Sequence, residues 1–248
     1  MSDLKGKVAI VTGASKGIGA AIAEKLAANG AAVVVNYSRS ASEAEALVKR
    51  IRNGGSRAIA VQADLSRPAE AEKLFKRALE EFGRVDVLVN NAGTYEFLPL
   101  SGIQEEHYNR MFDLNVKGLL FASQQAAAAF ADGGGSIINI SSVVSVSPKA
   151  NASVYSATKA AVDAITKSLA AELGPRKILV NSILPGVTET EGLDASPASE
   201  NFRNYALSQT PLGRIGQPKD IAGVVAFLAS DDAKWITGQL ISVSGGLQ

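Results

Sequence analysis

Short apolar runs rich in β-branched residues recur along the chain, at intervals that leave room for a helix between them. The runs are nearly continuous and do not alternate with polar residues, which is the pattern of strands buried on both faces of a sheet. We therefore predict seven strands, at residues 8–12, 32–37, 58–63, 85–89, 136–141, 178–184 and 240–243.

Segments of helical periodicity separate these strands, and glycine marks several of their ends, as at Gly30 and Gly54. We predict six helices, at residues 19–29, 42–53, 68–82, 104–130, 153–173 and 218–229. Because strands and helices alternate, the fold class is α/β, with helices on both faces of a doubly wound, Rossmann-type parallel sheet of seven strands.

Residues 188–210 break this alternation. The segment contains Pro197 and several Ser and Glu residues, and its helical character is weak. A long excursion from a compact domain is usually functional, so we predict a lid over the substrate at about residues 188–210. No low-complexity linker divides the chain, and we predict one domain over residues 1–248.

Composition narrows the class of protein. A hydrophobic fraction of 46% excludes a disordered chain, and the lack of cysteine excludes disulfides and a thiol nucleophile. No histidine or carboxylate cluster has the spacing of metal ligands, so no metal is predicted. With a net charge of +1 we expect no nucleic-acid partner and no membrane surface. The amino terminus mixes acidic and basic residues, unlike a signal peptide, and we expect a cytoplasmic location.

The first predicted strand runs into a glycine-rich turn and then a helix. The turn has the spacing Gly-x-x-x-Gly-x-Gly, a variant of the dinucleotide-binding fingerprint, in which backbone N–H groups at the start of a helix bind a diphosphate. Its residues are Thr12, Gly13, Ala14, Ser15, Lys16, Gly17, Ile18 and Gly19.

The same turn also spells Gly-x-Ser-x-Gly, the nucleophile elbow of hydrolases. That interpretation requires a histidine late in the chain. The only histidine, His107, lies near the start of the fourth predicted helix, where we expect a solvated side chain. The hydrolase interpretation is therefore disfavoured.

The end of the second predicted strand indicates which nucleotide is bound. Enzymes that use the unphosphorylated nicotinamide nucleotide usually place Asp or Glu here, on the ribose hydroxyl. This chain has no acid at that point, and Ser38 and Arg39 could bind a 2′-phosphate, with Lys16 adding charge. We predict a preference for NADP(H), with NAD(H) possible, and contacts from Asn36, Tyr37, Ser38 and Arg39.

Tyr155 and Lys159 are four residues apart at the start of the fifth predicted helix, so they share one helical face. A neighbouring ammonium group stabilises a phenolate and allows a tyrosine to exchange protons near neutral pH. The spacing Ser156-x-x-Lys159 also fits penicillin-binding enzymes, but these need a later Lys-Thr-Gly, and the chain offers only Ile236-Thr237-Gly238.

In combination, these motifs resemble the short-chain dehydrogenases/reductases, in their compact single-domain branch. The resemblance covers essentially the whole chain and includes Pro185-Gly186 after the sixth strand. It implies that Tyr155 is the general acid in carbonyl reduction and that Lys159 holds the nicotinamide ribose. It further implies that Ser142, rather than Ser141, polarises the substrate oxygen, and that Asn115 orients a water linked to Lys159.

The resemblance also implies further contacts. The adenosine contacts would be Asp64, Leu65, Asn90, Asn91, Ala92 and Gly93, and those at the nicotinamide would be Pro185, Gly186, Val187 and Thr188, besides Tyr155 and Lys159. The substrate contacts would be Ser142, Val143, Val144 and Tyr155, with a pocket that extends to residues 94–98 and the lid. One departure is Ser244, where many relatives have Asp.

The expected function is NADPH-dependent reduction of a ketone or aldehyde, with a small-molecule substrate. The alternatives are a 3-oxoacyl-thioester reductase of the acyl-carrier type and a sugar or alcohol dehydrogenase, or, in another class, a nucleotide-binding regulator without turnover. The resemblance also implies a homo-oligomer, commonly a tetramer, in which the helix carrying Ala126 and Ala129 and the helix carrying Ala157 and Ala161 pair across a dimer axis.

Overall fold

A computed structural model describes residues 3–191 and 199–247. All the strands in this part of the chain form one parallel sheet of order β3-β2-β1-β4-β5-β6-β7, which confirms the predicted doubly wound fold. The strands are β1 Val8–Val11, β2 Ala32–Tyr37, β3 Ala58–Gln62, β4 Val87–Asn90, β5 Gly135–Ile140, β6 Ile178–Pro185 and β7 Leu240–Val243. Each starts and ends within two residues of its predicted bounds.

The helices follow the strands in the predicted alternation. They are α1 Gly17–Ala28, α2 Ala41–Asn53, α3 Pro68–Phe82, α4 Glu105–Phe112, α5 Leu119–Ala129, α6 Ser153–Leu173, α7 Ser199–Gln209 and α8 Pro218–Leu228. Helix α7 falls within the segment predicted as a lid, and residues 192–198 of that segment lie outside the described residues.

The helix predicted over residues 104–130 is present from Glu105 to Ala129, but it is not α-helical throughout. A π-helical segment, Asp113–Gly118, separates α4 from α5. Gly118 packs closely against the backbone of Leu65, and a Cβ atom on Gly118 would lie 2.5 Å from the carbonyl oxygen of Leu65. The π-helical turn, which is wider than an α-helical turn, contains both Gly118 and Asn115. The side chain of Asn115 forms hydrogen bonds with Thr94, outside its own helix.

The core forms two layers, one on each face of the sheet. Helices α1, α2 and α8 cover one face, and α3, α5 and α6 cover the other. Successive residues of β2 show the division, because Val33 and Val35 face the first layer and Val34 the second. Burial on both faces explains why the strand sequences are continuously apolar.

The order of the strands reverses at β1, which pairs with β2 on one side and β4 on the other. The connections after these strands leave in opposite directions and open a crevice at the carboxyl ends of the sheet, where open α/β folds bind ligands. Among the described helices, none has both the length and the apolar character required to span a bilayer.

Candidate active site

The glycine turn follows β1 and leads into α1 at the crevice. Gly13 and Gly17 both have φ of +58°, a conformation that favours glycine. A Cβ atom on Gly13 would lie 2.8 Å from Ala92 Cα, and one on Gly19 would lie 2.4 Å from the side-chain nitrogen of Asn91. The turn therefore presents bare backbone at a helix amino end, as binding of a diphosphate requires.

Polar side chains hold this turn in place through hydrogen bonds. Gly13 N donates to Oδ1 of Asn36 at 3.1 Å, and Nδ2 of Asn36 donates to the carbonyl oxygen of Ala63 at 3.0 Å. Asn91 Nδ2 donates to the carbonyl oxygens of Thr12 and Gly13, and Thr12 Oγ1 accepts from the N–H groups of Asn91 and Ala92. Asn36 is 1% exposed, so its side chain positions the turn and does not face the crevice.

Two of the other residues predicted to contact adenosine are also turned inward. Asn90 is buried and donates to Ser123 Oγ at 3.0 Å and to Asn139 Oδ1 at 2.9 Å. Leu65 lies in the core layer below the sheet. Any contact that these two residues make with a nucleotide would therefore use their backbone atoms. Asp64 remains partly exposed, and its Oδ1 accepts from the N–H and the hydroxyl of Ser66.

The basic residues predicted to recognise a 2′-phosphate lie at the surface, close to the turn. Ser38, Arg39 and Lys16 are all exposed. Ser42 is the main cause of a lowered pKa at Glu43, and the charge of Lys16 contributes to it, which places Lys16 near the start of α2. In the described part of the chain no ion pair is found for Arg39, and its guanidinium group is free to meet an anion.

Tyr155 lies in the first turn of α6, close to Ser142, which follows β5. Burial raises the pKa of Tyr155 to about 12, the hydrogen bond with Ser142 opposes the rise, and Tyr95 adds to it. Ser142 Oγ also accepts from Val144 N at 3.3 Å, which leaves its hydrogen free to donate. Val143 is buried in a small apolar cluster with Leu184 and Leu247.

Lys159 is buried one helical turn beyond Tyr155. Its Nζ donates to the carbonyl oxygen of Ile140 at 2.8 Å and lies 5.8 Å from the centre of the Tyr155 ring. Burial lowers the pKa of Lys159 to about 8, and the charge of Asp163 works in the opposite direction. Ser141, which the sequence suggested as a structural hydroxyl, donates to the carbonyl oxygen of Lys159 at 3.2 Å.

Asn115 joins the π-helical segment to the loop after β4. Its Oδ1 accepts from Thr94 N at 2.8 Å, and its Nδ2 donates to Thr94 O at 2.8 Å and to Thr158 Oγ1 at 3.1 Å. Both amide hydrogens are therefore used. A Cβ atom on Gly93 would lie 3.3 Å from Asn115 Oδ1 and 3.8 Å from Lys159 Nζ, so the three residues meet at one point.

Sequence reasoning missed Asp163, a carboxylate buried one turn beyond Lys159 on α6. Its Oδ1 accepts from Ser182 Oγ at 3.2 Å, and its Oδ2 has no hydrogen-bond partner among the described atoms. The position i+4 from Lys159 is the sequence signal that could have identified it. A buried carboxylate beside a buried ammonium group partly offsets the cost of burying each charge.

The segment after β6 lies next to the glycine turn. Gly186 packs against Ser244, where a Cβ atom would lie 2.9 Å from Ser244 Cα, and the Ser244 hydroxyl donates to the carbonyl oxygen of Leu247 at 2.9 Å. Thr188 is buried and donates to the carbonyl oxygen of Gly186 at 3.0 Å. Further along, the methyl group of Thr190 would lie 3.3 Å from a Cβ atom on Gly17. The chain after β6 therefore returns to the glycine turn at Thr190.

His107 differs from its prediction. The side chain is only 6% exposed, and neither ring nitrogen has a hydrogen-bond partner among the described atoms. The expectation of a solvated residue is wrong because His107 shares the inward face of α4 with Met111, at the i+4 spacing of a buried stripe.

The family model that matches this chain carries the description Enoyl-(Acyl carrier protein) reductase and covers residues 13–248. The chain is 56% identical to an uncharacterized oxidoreductase of Methylorubrum extorquens, over 100% of both chains. It is 41% identical to a hydroxynaphthalene reductase-like protein of Metarhizium majus, over 98% of this chain and 96% of the relative.

Among solved structures, the angucycline C-6 ketoreductase LanV with bound NADP has a TM-score of 0.93 and 39% identity, and the match covers 99% of this chain and 97% of the other. Several further matching structures are described as short-chain dehydrogenases/reductases. These matches run nearly from end to end, and the chain belongs to the short-chain dehydrogenase/reductase family of oxidoreductases.

Proposed function

We propose that this protein is an NADPH-dependent reductase that converts a ketone or aldehyde to an alcohol. The observation that carries the proposal is the placement of Tyr155, Ser142 and Lys159 beside the glycine turn, at the carboxyl ends of the same sheet. Tyr155 and Ser142 can both act on one substrate oxygen at the mouth of the crevice, and Lys159 can act on Tyr155. LanV, which is described as a ketoreductase with bound NADP, supports both the cofactor and the reaction.

The residues present fit a nicotinamide dinucleotide. The bare backbone at Gly13 and Gly17 would hold the diphosphate, and Ser38, Arg39 and Lys16 would hold a 2′-phosphate. Lys159 would hold the nicotinamide ribose, and the backbone after Pro185 the carboxamide. When bound, the reduced nicotinamide supplies the hydride.

The protein's own residues supply the proton. With a pKa of about 12, Tyr155 holds its proton at neutral pH and can donate it as negative charge develops on the substrate oxygen. Ser142 donates a hydrogen bond to the same oxygen. The ammonium group of Lys159 then stabilises the phenolate, and Asn115 would orient a water for proton return through its main-chain carbonyl, since both side-chain hydrogens are used.

The reaction is reversible: in alcohol oxidation the phenolate of Tyr155 would accept the proton that Tyr155 donates in reduction. The 3-oxoacyl-thioester and sugar substrates remain alternatives for the same catalytic groups.

We also propose a homo-tetramer. Ala126 is buried against its own sheet, but Leu120, Gln124 and Ala128 form an exposed stripe on α5 that could meet a second copy. The cytoplasmic location stays a prediction.

Replacement of Tyr155 by Phe tests the reaction. The variant keeps the ring but lacks the proton, so kcat/KM for carbonyl reduction is expected to fall by about 10²–10⁴ while NADPH binding stays near the wild-type level. The assay is NADPH oxidation across a panel of ketones, aldehydes, sugars and 3-oxoacyl thioesters. Tyr108→Phe, at an exposed tyrosine of α4, is the matched control. If the wild-type protein binds NADPH but reduces no carbonyl compound on the panel, the alternative of a nucleotide-binding regulator is favoured.

Replacement of Arg39 by Ala tests the cofactor. Loss of a charged hydrogen-bond donor should raise KM for NADPH by about 10- to 100-fold, since such bonds contribute about 1.5–3 kcal/mol, and should leave KM for NADH nearly unchanged. Arg77→Ala, at an exposed arginine of α3, is the control. An equal rise for both nucleotides would refute a role for Arg39 in phosphate recognition.

Replacement of Asp163 by Asn tests the charge behind Lys159. The carboxylate raises the Lys159 pKa, which burial lowers to about 8. Its neutralisation therefore lets Lys159 lose its proton at lower pH, and the alkaline limb of the kcat/KM profile should move to lower pH while the rate at about pH 6 changes little. Glu172→Gln removes an exposed charge from the same helix and should leave the profile in place. An unmoved limb in D163N would contradict this role.

Light scattering tests the assembly. A tetramer predicts a mass of four times 25.7 kDa at micromolar concentration, and Ala128→Glu should lower it by placing a charge on the exposed stripe. A wild-type protein that is stably monomeric would remove the proposal.

A further inference from the structure

Three aromatic rings meet at the mouth of the crevice. The ring centres of Tyr95 and Phe97, on the loop after β4, are 5.7 Å apart, and each lies 6.0 Å from the ring of Tyr155. Phe97 meets Tyr155 edge to face at 86°. These distances are those of favourable aromatic pairs. The loop rings nevertheless remain 50% and 49% exposed, so much of their apolar surface lies uncovered beside the catalytic group.

The loop that carries these rings is held at both ends. Thr94 is bonded through its N–H and its carbonyl to Asn115, and Leu98 N donates to the carbonyl oxygen of Asn151 at 2.8 Å. The two rings therefore sit between two fixed points. A platform that is positioned before the substrate arrives binds it with a smaller loss of conformational entropy.

The surroundings of the platform are mainly apolar. The one charged residue within the loop, Glu96, forms an ion pair with Arg110 of α4, which neutralises its charge. On the opposite loop, after β5, Val144 is partly buried and Val146 is 62% exposed. The platform thus offers flat apolar surface and no free cation of its own to an acyl-carrier phosphate.

We propose that Tyr95 and Phe97 form an aromatic subsite that selects a carbonyl compound with a flat aryl ring fused or attached near the carbonyl carbon. The proposal rests on the proposed reductase function. A ring stacked on Tyr95 or meeting the edge of Phe97 sits about 4.5–7 Å away between centroids. Since both rings contact Tyr155, a carbonyl next to the aryl ring lies within reach of the Tyr155 hydroxyl.

Two bicyclic ketones of the same carbon skeleton test the subsite. 2-Tetralone has one aromatic ring that is not conjugated with its carbonyl, and 2-decalone is its fully saturated counterpart. With NADPH, wild-type kcat/KM is expected to favour 2-tetralone by about 10-fold, since an aromatic pair adds about 0.5–1.5 kcal/mol beyond apolar burial. In Tyr95→Leu and Phe97→Leu the preference should fall several-fold in each, because kcat/KM for 2-tetralone falls more than that for 2-decalone.

Conservative variants separate stacking from other effects. Tyr95→Phe keeps the ring and should keep the preference, whereas Tyr108→Leu, at an exposed aromatic residue of α4 outside the crevice, should leave both substrates unaffected. Equal use of the two ketones by the wild type, or an equal loss on both in Tyr95→Leu and Phe97→Leu, would overturn the subsite. So would reduction of aliphatic carbonyls or thioesters without turnover of 2-tetralone, although the reductase function would then stand.

Binding gives a readout that does not depend on turnover. Calorimetry with 2-naphthol, which is flat and cannot be reduced by hydride, should give a dissociation constant that rises several-fold in Tyr95→Leu and Phe97→Leu and is restored in Tyr95→Phe. If no carbonyl is reduced, the reductase function fails, and this weakening would still support an aromatic subsite. An unchanged dissociation constant in both leucine variants would overturn it.

Discussion

The two hydrogen bonds between the side chain of Asn115 and the backbone of Thr94 hold the active site together. They join the π-helical segment to the loop after β4, and a third bond, to Thr158, joins both to α6. Three elements that are distant in sequence therefore share one amide group. Because a buried amide left without partners costs free energy, each element restrains the other two.

Burial raises the pKa of Tyr155 and lowers the pKa of Lys159. Both shifts favour the neutral form of the side chain. A neutral tyrosine is a useful proton donor, but a neutral lysine could not stabilise the phenolate that donation leaves behind. The carboxylate of Asp163 counteracts burial at Lys159 alone. One helix thus keeps the donor uncharged and favours a charged neighbour, because an acidic residue follows the lysine by one turn.

The strands and most helices could be predicted from the sequence because burial on both faces makes each strand uniformly apolar, and that pattern is local. The π-helical segment within residues 104–130 could not, since the periodicity of the sequence does not show that Gly118 packs against a distant carbonyl. The spacing of the motif identified Asn36 but did not show which way its side chain points. Its side chain turns inward because the glycine turn and the end of β3 need hydrogen-bond partners.

His107 and Tyr95 illustrate the same limit for the candidate site. A polar residue on a short helix is ordinarily exposed and an aromatic residue ordinarily buried, yet here the histidine is covered and the tyrosine is half-exposed. Each position is decided by how neighbouring elements pack, in one case the inward face of α4 and in the other a loop fixed at Thr94 and Leu98. The motif residues and the pocket loop at residues 94–98 were therefore predictable, and the burial of each side chain was not.

The two ends of the crevice differ in dielectric environment. Arg39 and Lys16 are exposed at one end, where water and salt weaken each charge interaction. At the other end Tyr155 is partly buried and Lys159 is buried, and there a single hydrogen bond or charge has a larger effect. Discrimination between nucleotides can rest on several weak contacts, whereas proton transfer depends on a few strong ones. One sheet edge provides both environments, and so the chemistry requires no second domain.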